Sequence, residues 1–146
     1  MLARFLERND VPEVTGHFHP FPMTSDSAEE IALRAGNDRY FGAFVHGRLV
    51  GLSMLRGWED GFDVPSFGIV VDRTSHGQGI GSVLTDFTLD RAPWFGCEQV
   101  RLSVYASNEQ AHRMYLTRGF EEIERQPVSR NGESDERIVM VKRLTQ

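Results

Sequence analysis

Apolar and polar positions along this chain change period several times, and each change marks an element. Leu2, Phe5 and Leu6 recur at helical spacing, which predicts a short helix over Leu2–Arg8. Pro12–Thr24 carries three prolines and the aromatic run HFHPFP, so it reads as a loop held down by Phe18 and Phe21. Ser27-x-x-Glu30 has capping-box spacing, and with Ile31 and Ala35 it predicts a helix from Ser27 to about Ala35, ended by Gly36-Asn37-Asp38. Tyr40–Val45 and Leu49–Leu55 read as two strands joined by a hairpin turn at His46-Gly47-Arg48.

Beyond a polar loop, Arg56–Asp63, the pattern becomes continuously apolar over Val64–Val71, as in a strand covered on both faces. Ile80, Val83, Leu84, Phe87 and Arg91 then fall at intervals of three and four, predicting a helix over 79–92 with that stripe on a sheet and Pro93 as its stop. Val100–Val104 alternates like a strand. Ser107-x-x-Gln110 is a second capping box, opening a helix to Arg118 that Gly119 terminates. Phe120–Arg125 and Arg137–Val141 read as two antiparallel strands across a polar loop, Pro127–Glu136, containing Asn131-Gly132. Two crossover helices between strands require a partly parallel sheet, so the fold class is α/β (α+β) with a mixed, twisted sheet of about six strands.

Composition narrows the function classes. The 146 residues suit one domain, 1–146, and a hydrophobic content of 40% suits a soluble globule. A net charge of −5 argues against a nucleic-acid surface. No apolar run approaches the roughly 20 residues that span a bilayer, and no secretory signal is visible, so a cytoplasmic protein without a membrane partner is expected. Cys97 is the single cysteine and reads as a packed thiol; the five histidines have no metal-ligand spacing, so no metal is expected.

Two segments carry the chemistry. In Phe67–Leu84, glycines at 77, 79 and 81 lie between a strand and a helix. Alternate glycines there carry an entropic cost that makes sense where backbone must approach an anion at a helix N-terminus. The turn lacks the lysine of a P-loop and has Ser82 where a dinucleotide fingerprint needs its third glycine. In residues 100–120, a strand delivers Asn108 to a helix start, with Ala111 and Tyr115 further along that helix. A tyrosine hydroxyl, with an ordinary pKa near 10, suits a proton donor, and Asn108 could orient a ligand amide; a core aromatic and a plain cap are the structural alternatives.

Together, H76-G-Q-G79-I-G81 and N108-E-Q-A111-H-R-M-Y115-L-T-R-G119-F120 resemble the two signature segments of the GNAT superfamily of acyl-CoA-dependent N-acetyltransferases. The second matches at each marked position; in the first, His76 stands where the family has arginine or glutamine, which would make phosphate contacts sensitive to pH. The resemblance covers roughly residues 39–142 and implies a sheet splayed between the strands at 64–71 and 100–104, with acetyl-CoA in the splay as co-substrate. It implies pantetheine bonded to the backbone of Ile69, Val70 and Val71, with pyrophosphate on His76, Gly77, Gln78, Gly79, Ile80, Gly81 and Ser82. Asn108 and Ala111 complete the cofactor site. An N–H near Ile69 or Val70 would stabilise the oxyanion, and Tyr115 would protonate the leaving thiolate.

The acceptor side is less marked. Many relatives place a glutamate on the strand before the glycine turn, but Pro65-Ser66-Phe67-Gly68 has no carboxylate. The nearest acids are Glu59, Asp60 and Asp63, so Glu59 or Asp63 acting through water is the expected base, with a solvated loop as the alternative reading; His17 and His19 are secondary candidates. The N-terminal helices and the loops 16–24, 56–63 and 126–136 should line the acceptor pocket. Acids near its rim suit a small-molecule amine (an amino sugar, an amino acid or a polyamine), while Arg56 and Trp58 could grip a carboxylate or stack on a sugar. The first strand usual in relatives is missing, which would leave strand 40–45 as an exposed edge, covered by the N-terminal loop or by a second copy in a homodimer. The competing functions are a non-catalytic acyl-CoA-binding or sensory module and an acyltransferase using another acyl-CoA.

Overall fold

A computed structural model describes residues 1–18 and 20–144; His19, one of the secondary base candidates, lies outside the described residues. Three helices come first: α1 (Leu2–Arg8), α2 (Pro12–Thr15) and α3 (Ser25–Arg34). Strands β1 (Arg39–Val45), β2 (Arg48–Arg56) and β3 (Ser66–Val71) follow, then α4 (Ile80–Arg91), β4 (Gln99–Tyr105), α5 (Glu109–Thr117), β5 (Glu121–Arg130) and β6 (Glu133–Arg143). The strands form one sheet in the order β1-β2-β3-β4-β6-β5, so β1 and β5 are its edges and no strand precedes β1 among the described residues.

Neighbouring strands are antiparallel except β3 and β4, which are parallel and register at a single pair, Ser66 with Arg101. Arg101 N donates to Pro65 O at 3.0 Å, and beyond that bond the two strands part. The sheet is therefore mixed, six-stranded and splayed where the sequence implied. One face is covered by α1–α3, with Phe5, Leu6, Val14, Phe18 and Met23 packed on Leu52, Met54 and Val70. On the opposite face, Leu89 of α4 and Tyr115 of α5 pack with Leu55, Phe67, Val100, Leu102 and Val104.

Several local expectations are corrected. Helix α3 begins two residues before Ser27, because Thr24 is the residue whose hydroxyl accepts from Ser27 N (3.2 Å). Pro12–Thr24 is not all loop, since Pro12 opens α2 at a helix N-terminus where its missing N–H costs nothing. Helix α5 is not opened by a Ser107 box: Ser107 Oγ donates to Asp135 Oδ2 at 2.6 Å, and Asn108 is the cap residue. The polar stretch 127–136 is strand rather than loop, turned at Asn131-Gly132 with φ of 52° and 80°, the signature of a two-residue primed hairpin. His46-Gly47 turns β1 into β2 in the same way.

The largest correction concerns α4. Val83 is 71% and Phe87 43% exposed, while Leu84, Thr85, Thr88 and Leu89 are buried. The sheet-facing side is thus half threonine, and hydropathy alone misplaces it. Each hydroxyl is satisfied: Thr85 Oγ1 donates to Gly81 O (2.6 Å) and Thr88 Oγ1 to Leu84 O (2.7 Å). Ser53 Oγ of β2 lies 2.6 Å from Thr88 Oγ1, which fastens α4 to the sheet. Cys97 is buried, and burial pushes its thiol up, as suits a packed rather than a nucleophilic side chain.

Candidate active site

The parting of β3 from β4 decides which backbone groups are free. Asp72 N donates to Val50 O (2.8 Å), so hydrogen-bonded pairs in the β2–β3 ladder fall at Asp72, Val70 and Gly68, and the intervening Ile69 and Val71 turn their amides and carbonyls away from β2. Ala106 N donates to Glu136 O (2.8 Å) in the β4–β6 ladder, which by the same alternation turns Ser103 and Tyr105 toward β3. Backbone groups of Ile69 and Val71 that β2 does not take up therefore face those of Ser103 and Tyr105 that β6 does not take up, across the splay. Val70, named with Ile69 as an oxyanion donor, directs its backbone to Leu52 of β2 instead; the expectation narrows to Ile69.

A cavity of about 510 Å³ occupies one side of this splay. Its lining includes Ile69, Val70 and Val71, the turn residues His76, Gly77, Gly79, Ile80, Gly81 and Ser82, and Asn108, Ala111 and Tyr115 of the second segment. Gln78 is exposed and does not line it. Gly77 and Gly79 have φ of 80° and 78°, in the left-handed region that an L side chain enters only with strain. The first intrahelical bond of α4 runs from Val83 N to Gly79 O (3.1 Å), so the amides of Ile80, Gly81 and Ser82 precede it and have no acceptor within the helix. No side chain caps them. With the helix dipole behind them, they are arranged as an anion would require.

His76 has a structural part in that turn. Its Nε2 lies 3.0 Å from Val71 O, and since a carbonyl can only accept, Nε2 carries the proton. The ring ties the turn back to the end of β3. The carboxamide of Asn108 makes no cap bond to α5 and lines the cavity. Ser75, Gln110 and Met114 also line it, as do Glu13 and Val14 of α2, whose approach from the opposite end of the chain no local pattern announces.

A second cavity, about 410 Å³, lies beyond the first. Six residues line both: His17, Phe18, Ile69, Ser103, Val104 and Tyr115. Tyr115 is 7% exposed, with its ring edge-on to Phe67 (6.1 Å) and Phe120 (5.7 Å). Burial pushes its hydroxyl well above the ordinary range, against a smaller opposing effect from Arg118, so it is held protonated.

The acids of the 56–63 loop separate in space. Asp60 lines the second cavity, whereas Glu59 and Asp63 do not. Glu59 Oε2 accepts from Asn37 N at 2.8 Å, closing the loop that follows α3, and Asp63 is exposed. Asp38 Oδ1 accepts from Gly57 N (3.0 Å) and Trp58 N (3.1 Å), which fixes that arrangement. Trp58 packs on Phe95 and is outside the cavity, while Arg56 is in it. Arg137, which no motif singled out, lines it as well. Of the loop 126–136, no residue lines it.

Residues 6–120 match the model of the Acetyltransferase (GNAT) family. The chain belongs to the GNAT acetyltransferase family. No curated protein matches it in sequence. Among solved structures, this GNAT chain is similar to the ribosomal-protein-alanine N-acetyltransferase from Brucella melitensis, at 17% identity and TM-score 0.82, covering 98% of this chain and 94% of that one. It is also similar to a GNAT-family acetyltransferase from Streptococcus pneumoniae, at 21% identity and TM-score 0.81, covering 99% and 92%. A third, yncA from Salmonella typhimurium, was solved with its cofactor acetyl-CoA and aligns at 16% identity and TM-score 0.72 over 88% and 77%. At such identities these likenesses concern the GNAT fold.

Proposed function

We propose that this GNAT protein transfers the acetyl group of acetyl-CoA to the primary amine of a small polar metabolite. The observation that carries the reading is the pair of cavities meeting at Tyr115 and Ile69, one reaching the glycine turn and the other reaching the 56–62 loop. In this reading the amides of Ile80, Gly81 and Ser82 hold the pyrophosphate, and the edge of β3 that faces the splay holds pantetheine. The amine nitrogen attacks the thioester carbonyl and forms the N–C bond of a tetrahedral intermediate, whose oxyanion the Ile69 N–H meets; its collapse restores the carbonyl and breaks the C–S bond. Tyr115 gives its proton to the departing thiolate. An ammonium acceptor must lose one proton before attack and a second after it; one returns to Tyr115 and one goes to solvent.

His17 is the base that geometry supports best, because it lines both cavities, while Glu59 and Asp63 line neither. Asp60 is the carboxylate beside the acceptor. The test is amine-dependent release of free CoA from acetyl-CoA across amino acids, amino sugars, polyamines and peptides. Turnover with at least one class is expected. If CoA binds tightly and no amine is acetylated, the protein is an acyl-CoA-binding module instead; faster turnover with succinyl-CoA would reassign the donor.

A further inference from the structure

The acceptor cavity is cationic in a chain whose net charge is −5. Its charged lining consists of Arg56, Arg137 and Asp60, with His17 at the junction. Arg56 comes from the end of β2 and Arg137 from β6, so the two guanidinium groups belong to opposite walls of the splay. Neither lies within 4 Å of a carboxylate among the described residues, although six other arginines are so paired. Arg56 donates from Nη1 to Pro20 O at 3.0 Å and lies over the Phe21 ring at 5.3 Å. These contacts hold it in place and leave most of its five donors unused. Arg137 has one long bond, Nη1 to Gln126 Oε1 at 3.5 Å.

Resting on the acetyl-transfer reading above, we propose that the acceptor is an amino carboxylate whose anionic end is held by Arg56 and Arg137 while its amine reaches Tyr115 and Ile69. Two guanidinium groups facing one cavity would repel a polyamine, which carries positive charge along its whole length. A zwitterion suits the same lining, since its carboxylate meets fork-shaped donors and its one ammonium points away from them, toward Tyr115. The cavity's volume, about 410 Å³, fits a ligand of metabolite size. Met54, Phe18 and Phe62 supply apolar wall for the remainder of the molecule.

The deciding experiment measures CoA release with amino acids, with their carboxamides (same amine, no negative charge) and with spermidine. Amino carboxylates should exceed their amides in kcat/KM by about tenfold or more, and spermidine should be poor. Arg56→Gln and Arg137→Gln should each raise KM for the amino carboxylate about 10- to 100-fold, erase the preference over the amide and leave KM for acetyl-CoA unchanged. Amides or spermidine turned over as well as the acids would overturn the proposal, as would arginine variants that keep the acid-to-amide ratio. Absence of turnover with every amine would overturn the transfer reading instead. Calorimetric titration of the CoA-bound protein with amino carboxylates then decides the anion site: binding abolished by Arg56→Gln upholds it, and no binding removes it.

Discussion

Arg8 and Asp72, 64 positions apart, form an ion pair with Nε 2.6 Å from Oδ2 on a carboxylate that is fully buried. The pair joins the end of α1 to the residue that follows β3, on the approach to the glycine turn. Asn9 adds to the junction: its Oδ1 accepts from Arg73 N at 2.8 Å, and its Nδ2 donates to Phe5 O at 2.9 Å. Arg8 Nη2 also donates to Leu49 O. The N-terminal helices, and with them the Val14–Phe18 wall of the cleft, are thereby locked to the strand that carries Ile69.

Replacing Asp72 should loosen that lock. Burial by itself would raise the Asp72 carboxyl, but hydrogen bonds from Thr74 N, Arg8 and Thr74 Oγ1 outweigh it and hold the group well below the ordinary carboxylate range. A carboxyl depressed in this way contributes stability that is fully present above its unfolded value, near 4, and is lost as pH falls through the lower folded value. Chemical denaturation should therefore show wild-type stability declining below about pH 4. Asp72→Asn should be less stable by about 3 kcal/mol at neutral pH, with a flatter acid dependence.

Tyr115→Phe keeps the edge-on packing with Phe67 and Phe120 and removes only the hydroxyl. Turnover should fall by about 100-fold while the melting temperature and the affinity for CoA stay near wild type. Because burial raises the hydroxyl, it remains protonated through neutral and mildly alkaline pH. The rate of the wild type should accordingly lack an alkaline limb below about pH 10. A Tyr115→Phe variant that turns over at the wild-type rate would contradict the role.

Two glycines in one turn should respond oppositely in stability and alike in binding. Gly79 has φ of 78°, so Gly79→Ala should destabilise by about 1 kcal/mol and weaken CoA binding. At Gly81, in the first turn of α4, an added Cβ meets Val71 Cγ2 at an ordinary 3.6 Å. Gly81→Ala should thus be neutral or stabilising by up to about 1 kcal/mol, through helix propensity, yet still weaken CoA binding by crowding the anion site. Denaturation and calorimetry on the two variants separate the effects.

The base assignment is tested by three substitutions read together. His17→Gln should flatten the acid limb of the kcat/KM profile. Glu59→Gln and Asp63→Asn should leave the profile in place, since neither carboxylate reaches the cleft. A profile moved by Asp63→Asn and unmoved by His17→Gln would reverse the assignment.

Much of the cleft was legible locally because local rules produce it. Three glycines before an amphipathic segment mark an anion-binding helix start, and Asn108, Ala111 and Tyr115 lie on a helix whose period places them together. Where side chains depart from their hydropathy, the reading failed. Thr85 and Thr88 are buried because each hydroxyl finds a carbonyl on its own helix, and no scale of residue hydrophobicity contains that partner. The spacing around Ser107 is that of a cap, yet Asp135, 28 positions on, takes its hydroxyl; that bond, with Arg130 at 3.1 Å, holds the Asp135 carboxyl down to about 2.

From the sequence alone came the family, the six strands and the longer helices in order, and the two candidate segments at 76–82 and 108–115, each shaped by neighbours within a dozen or so positions. Tertiary structure decided the second cavity, because it is assembled from β2, β6 and the N-terminal segment, which meet only when the sheet closes. It turned Glu59 to Asn37, left Asp60 at the cavity and brought Arg137 into the cavity that Arg56 lines. The physical reason is distance along the chain: a phosphate turn is made by consecutive amides, whereas a substrate pocket is made by side chains that no local pattern relates.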